Sequence, residues 1–177
     1  MEKPKKNAVR YVTEAAVIAA LYVALTYVSG LMGLAYGPVQ FRISELLTLL
    51  PVFTPAAVPG LVIGCAIANI SSTVGIIDVV FGTVATLLAA VCTGALRNVQ
   101  IKGVPVLSTL PPVIFNGIII AFEIWFVGDR SPQLFWGSCW TIALGEAAIC
   151  IILGIPFMIM INRTGVFKKI IKTETND

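Results

Sequence analysis

Six apolar stretches occupy most of this chain, at roughly residues 9–31, 41–54, 57–71, 77–96, 104–126 and 134–161. Crossing the hydrocarbon core of a bilayer takes about 20 apolar residues as a helix, or about 10 in strict alternation as a barrel strand. The longer stretches here are helix-length, and strict alternation is absent. The reading is therefore an all-α integral membrane protein, since a spanning helix satisfies every backbone polar group within itself. The second and third stretches fall short of a full span. Pro51, Pro55, Pro59 and Gly60 in the connection between them preclude one long helix. Two short helices or one re-entrant hairpin fit equally, and both return the chain to the same side.

Composition agrees. Of 177 residues, 58% are hydrophobic and only 12% charged, about half the charged share of a soluble domain. One membrane domain covering residues 1–177 accounts for all of it, with short tails at 1–8 and 163–177. No cleavable leader is expected at the basic N-terminus, because the apolar run behind it is long and lacks a small-residue cleavage end.

Orientation follows from the basic residues. With both termini in the cytoplasm, Lys3, Lys5, Lys6, Arg10, Arg97, Lys102, Arg163, Lys168, Lys169 and Lys172 lie inside, and only Arg42 and Arg130 outside. That asymmetry satisfies the positive-inside rule. It places the loops at 30–40, 72–75 and 127–133 on the outer face.

Several functions drop out. There is no histidine, hence no histidine-based metal site, proton relay or Ser/His/Asp set. A phosphate-binding Gly-rich loop with Lys and Ser/Thr is missing too, so an energy source would reside in an ion gradient or another subunit. Cys65, Cys92, Cys139 and Cys150 all sit in apolar segments and read as small core residues. No enzyme activity, metal, cofactor or nucleic-acid partner is expected; the bilayer is.

What remains is a set of polar residues at membrane depth, where such groups are costly and mark solute pathways. Glu45, Asn69, Asp78, Asn116, Glu123 and Glu146 lie in or at the edge of apolar stretches, most of them in the outer half. Glu123 and Asn116 are seven residues apart and share a helix face, at roughly 5 and 15 Å below the outer end. Each has a plain structural alternative. Asp78 suits a helix cap, Asn69 a helix end, and Asn116 and Glu146 interhelical hydrogen bonds. Together, four carboxylates and two amides point to an outward-facing site for a ligand with several N–H donors or a positive charge. Trp140, with Trp136 on the same helix, offers a stacking surface. Tyr36, Gln40, Phe41 and Arg42 form a candidate lid hinged at Gly37 and Pro38. An Arg42–Glu45 pair, three residues apart, is expected to latch it; the alternatives are a plain interfacial ion pair and a place in the pocket wall. On the first helix, Ala16, Ala20 and Ala24 make a small-residue strip where another helix can approach closely.

The stretches AVIAALYVALTYVS, GPVQFRISELLTLLPVFTPAAVPGLVIGCAIANI, GIIDVVFGTVATLLAA and LGEAAICIILGIP together resemble the QueT family, substrate-binding S-components of energy-coupling factor (ECF) transporters for queuosine precursors. The resemblance covers about residues 8–162. It implies a six-helix S-component bundle in the bacterial plasma membrane. It also implies a first-helix docking face, best matched by Ala16 and Ala20, for a scaffold membrane subunit that carries two ATPases. The implied substrates are 7-deazaguanines: the aminomethyl or cyano precursor of queuosine, or queuine. On that chemistry Glu123 or Glu146 reads the guanine edge, and Asp78 or Glu45 meets the substituent. The alternatives are an S-component for another vitamin, or a stand-alone ion-coupled carrier of a nucleobase-like substrate.

Overall fold

The computed structural model describes residues 3–36, 40–101 and 103–164, all helical apart from turns, loops and one isolated bridge between Ile101 and Val104. The proposed hinge, Gly37 and Pro38, lies outside the described residues, as do Lys102, Lys168, Lys169 and Lys172 and the side chains of Lys3, Lys5 and Lys6.

The chain opens with α1 (Lys3–Leu31). A 3-10 helix (Ile43–Val52) follows, then α2 (Ala57–Asn69), α3 (Ile76–Ala95), α4 (Leu110–Val127) and α5 (Pro132–Ala147). A π-helical segment (Ala148–Leu153) joins α5 to α6 (Gly154–Thr164) without a break. Four helical stretches are long and apolar enough to cross a membrane: Ala8–Leu31, Ile76–Asn98, Val106–Val127 and Pro132–Thr164. The last, expected as one plain helix over 134–161, has a sequence cause for its π turn. Pro156 has no N–H for the Ile152 carbonyl and its ring crowds it, so the helix widens just upstream.

From α2 to α5, each α-helix packs on the next in chain order, and α1 packs on α2. The 3-10 helix runs inside this arrangement, against α1, α2, α3, the π segment and α6. Seven of its ten residues are buried, including Ser44, Glu45 and Thr48. A 3-10 helix rises about 2 Å per residue, so these ten residues reach about 20 Å, further than an α-helix of equal length. Its threefold repeat stacks Glu45 over Thr48, whose hydroxyl donates to the Glu45 carbonyl at 2.6 Å.

At the α4–α5 turn, Ser131 caps α5 by accepting from Leu134 N at 3.2 Å, ahead of Pro132 at the first helical position. Hydrogen bonds from the backbone and hydroxyl of Ser131 hold the exposed Asp129 acid below the usual carboxylate range.

α1 has two small-residue faces with different fates. Ala15 and Ala19 are buried against α2, where Gly60 and Gly64 let the backbones touch. A Cβ at Gly60 would stand 2.6 Å from the Ala15 carbonyl oxygen, and one at Gly64 would stand 2.9 Å from that of Ala19. Ala16, Ala20 and Ala24 are exposed on the outside of the bundle. Around the crossing, Ile18, Tyr22, Leu47, Leu50, Leu61 and Cys65 form the main apolar core. Gly64→Val should therefore cost at least about 1–3 kcal/mol by overpacking. It should lower the melting temperature of the detergent-solubilised protein, whereas Ala16→Val should not. Equal stability of both variants would contradict the close crossing.

Candidate functional site: a buried acidic cluster

The polar residues of the apolar stretches run from the end of the bundle that carries the turns after α2 and α4 toward its middle. Glu45, Asn69, Asp78, Asn116, Glu123 and Glu146 are all buried, and so is Arg42. Their burial divides into two linked groups.

The inner group is built on Glu45. One carboxylate oxygen accepts from the Tyr22 hydroxyl, and the other accepts from Asn116 Nδ2 at 3.3 Å. Asn116 Nδ2 also donates to Glu146 Oε1 at 2.9 Å. Two acids thus share one carboxamide. Cys150, on the π segment, lies 3.7 Å from Glu146 Oε2 and 3.6 Å from the Glu45 carbonyl. The group is held by α1, the 3-10 helix, α4, α5 and the π segment at once. It sits where it does because α1 presents Tyr22, Thr26 and Ser29 on one stripe, spaced by four and three. Ser29 Oγ accepts from Ile43 N at 2.9 Å, and the Thr26 hydroxyl donates to Ser44 Oγ at 2.8 Å. With Tyr22 on Glu45, the stripe pulls the chain after residue 42 down into the bundle.

The outer group is built on Arg42. Its Nε donates to the Ala35 carbonyl at 2.5 Å, its Nη1 to Asn69 Oδ1 at 3.3 Å, and its Nη2 stands 3.9 Å from Asp78 Oδ1. The Tyr36 ring lies under the guanidinium, 5.0 Å from its centroid, and the Tyr36 hydroxyl donates to the Ala68 carbonyl at 2.8 Å. Asn69 ends α2 and donates from Nδ2 to the Asp78 carbonyl at 3.0 Å, stapling α2 to α3. Asp78 is not a helix cap; Gly75 occupies that position. Glu123 lies in the last turns of α4, the helix packed on α3, whose first turn carries Asp78.

The expected Arg42–Glu45 latch is corrected. Arg42 is extended, with φ −90° and ψ 110°, at the entrance to the 3-10 helix, so it shares no helix face with Glu45. Its ionic partner is Asp78 and its hydrogen bonds go to Ala35 and Asn69. The role of anchoring the lid survives with those partners, because the Arg42–Ala35 bond and Phe41 N→Leu34 O at 2.8 Å close the loop on itself. Gln40 is buried, with its carbonyl oxygen against the α5 backbone at Gly145, where any Cβ would collide with it.

Trp140 and Trp136 are 69% and 62% exposed and do not join the cluster. The aromatic nearest the acids is Tyr22, whose role was readable in the Tyr22/Thr26/Ser29 stripe. A separate cleft of about 310 Å³ lies between α3, α4 and α5. Val80, Val84, Ile118 and Phe122 line it together with other apolar residues, and no member of the polar cluster does.

Acids and amides sequestered among membrane-length apolar helices are the mark of a protein that handles a polar solute within the bilayer. The chain belongs to the QueT transporter family, whose model matches residues 12–163. It is 35% identical over 153 residues to the "Queuosine precursor transporter QueT" of Lactococcus lactis subsp. cremoris (strain MG1363), covering 81% of this chain and 88% of that protein. No solved structure matches.

The geometry makes a direct test of the corrected ion pair. In double-mutant cycles with Arg42→Gln, Asp78→Asn and Glu45→Gln, the 42/78 coupling should be about 1–3 kcal/mol in thermal or chemical unfolding and exceed the 42/45 coupling. The reverse order would restore the latch.

Proposed function

We propose that this chain is the substrate-capturing S-component of an ATP-driven ECF importer in the bacterial plasma membrane. Its substrate is a 7-deazaguanine, namely the aminomethyl or cyano precursor of queuosine, or queuine. The buried cluster opens to the outside and both termini lie in the cytoplasm. ATP is hydrolysed by two partner subunits on a shared membrane scaffold.

One observation carries the substrate reading. Among the described residues, four carboxyl groups are buried, those of Glu45, Asp78, Glu123 and Glu146, against one buried guanidinium, Arg42. Buried acids in excess of buried cations need protons or a cationic, donor-rich guest. An aminomethyl deazaguanine brings an ammonium and an N1–H/2-amino pair. The family supports the same class, since the Lactococcus relative is named for queuosine precursors. In this reading Glu45 and Glu146, already bridged by Asn116, receive the ammonium. The ring stacks on the loop aromatics Tyr36 or Phe41, because Trp140 faces away from the cluster. The exposed strip Ala16, Ala20 and Ala24 docks the scaffold.

The experiment is calorimetric titration of the purified protein with the aminomethyl and cyano bases, queuine, guanine, riboflavin and thiamine. Deazaguanines should bind and the vitamins should not; the opposite result overturns the substrate assignment. Glu146→Gln should weaken the aminomethyl base about tenfold or more and the neutral cyano base much less, because a charge-assisted bond is lost only with the former. For the coupling, Ala16→Trp and Ala20→Trp should abolish uptake in cells while sparing ligand binding by the isolated chain. Uptake into vesicles lacking any ATPase would instead identify a stand-alone carrier.

A further inference from the structure

The inner group is saturated with internal hydrogen bonds, whereas the outer group is not. Arg42 Nη2, Asp78 Oδ1 and both carboxylate oxygens of Glu123 are buried with no hydrogen-bond partner. The three side chains belong to residues only 5%, 4% and 3% exposed. At 3.9 Å, Arg42 Nη2 and Asp78 Oδ1 are too far apart to satisfy one another. Each such orphan costs about 1–3 kcal/mol, and native proteins keep few of them. Four of the seven such atoms among the described residues belong to these three side chains, one donor group and three acceptor atoms, with Glu123 offering both oxygens of a single carboxylate.

That pattern is the complement of a particular ligand edge. The lactam–amidine edge of a guanine-type base presents a carbonyl oxygen, then an N–H, then an exocyclic amine. The carbonyl accepts from Arg42 Nη2. The N–H and the amine donate to the two oxygens of Glu123, a bidentate arrangement that carboxylates favour. An adenine-type edge reverses the first two groups, setting an amine against the guanidinium and a bare ring nitrogen against a carboxylate oxygen. The spacing agrees as well. Glu123 stands two turns from Asn116 on one face of α4, about 10 Å along the axis, so a base held at Glu123 directs its 7-substituent toward Glu45 and Glu146.

We infer that Glu123 and Arg42 are the specificity-determining pair, reading the lactam–amidine edge of the substrate, with Asp78 positioning the guanidinium. This rests on the deazaguanine reading above and deepens it. It moves Arg42 from a lid anchor alone to a ligand contact.

The test needs no variant to begin. Wild-type protein is titrated with the aminomethyl 7-deazaguanine, with its analogue lacking the exocyclic amine, and with the adenine-type 7-deazapurine carrying the same arm. Loss of the amine should cost about 100-fold or more and the adenine-type edge more still, because a site built for hydrogen bonds rejects ligands that leave its buried groups unpaired. Glu123→Gln should then shrink the amine discrimination to under about fivefold, with thermal stability measured alongside. Wild-type protein that binds the parent base and the amine-free analogue equally overturns this inference and leaves the proposed function standing. Unchanged discrimination in a folded Glu123→Gln protein overturns it too. Failure to bind any deazaguanine overturns the substrate class, and the inference with it.

Discussion

Glu45 is the constraint around which the rest is arranged. A carboxyl group at the centre of an apolar bundle is costly unless its oxygens are engaged. Tyr22 from α1 and Asn116 from α4 supply those contacts. Asn116 in turn reaches Glu146 on α5. Four elements are thereby tied to one side chain, and their relative depth is set by polar rather than apolar contacts. This matters in a membrane, where lipid tails are as apolar as leucine and packing alone discriminates weakly between helix registers. Apolar replacements of the same shape are often neutral or stabilising at buried ionic sites, so stability alone does not account for four acids in this place.

The 3-10 helix follows from the same constraint. It takes the chain on from Glu45, its third residue, through the depth of the bundle, and then hands it to α2 across Pro51 and Pro55. A tightly wound, extended helix covers that depth in few residues. The start is fixed by the Arg42–Ala35 and Arg42–Asn69 bonds. At the far end, the Thr54 hydroxyl donates to Glu14 Oε2 at 2.9 Å, and Glu14 is itself paired with Arg10 at 3.0 Å. α1 also pins the segment at its first three residues, Ile43, Ser44 and Glu45, and just past its end at Thr54.

Much of this was legible in the residues. Helix-length apolar runs announced the helices, and polar residues at matched depths announced a cluster. Three things were not. Over ten apolar residues, a period of 3.0 cannot be told from 3.6, so the 3-10 winding was invisible. Arg42 has an acid three positions away in sequence, and local proximity favoured Glu45; its true partner, Asp78, is brought close only by the packing of α2 on α3. Trp140 was placed by depth without helical phase. At about 100° per residue, six residues put it about 120° around the helix from Glu146, which turns it outward. Tyr22 was the converse: a polar stripe with Thr26 and Ser29 at helical spacing was present in the sequence and pointed inward.

α1 brings these strands together, because its three faces do three different things. Ala15 and Ala19 meet the glycines of α2 at backbone contact. Tyr22, Thr26 and Ser29 hold the start of the 3-10 helix and one oxygen of Glu45. Ala16, Ala20 and Ala24 look outward and are exposed among the described residues. The first contact is close, with no room for a Cβ at Gly60 or Gly64. The hydrogen bonding of Glu45 reaches α1 through Tyr22, on the helix that makes this contact. Under the proposed function, the alanine strip that meets the scaffold lies on the same helix as Tyr22, which holds one oxygen of the ligand-binding Glu45.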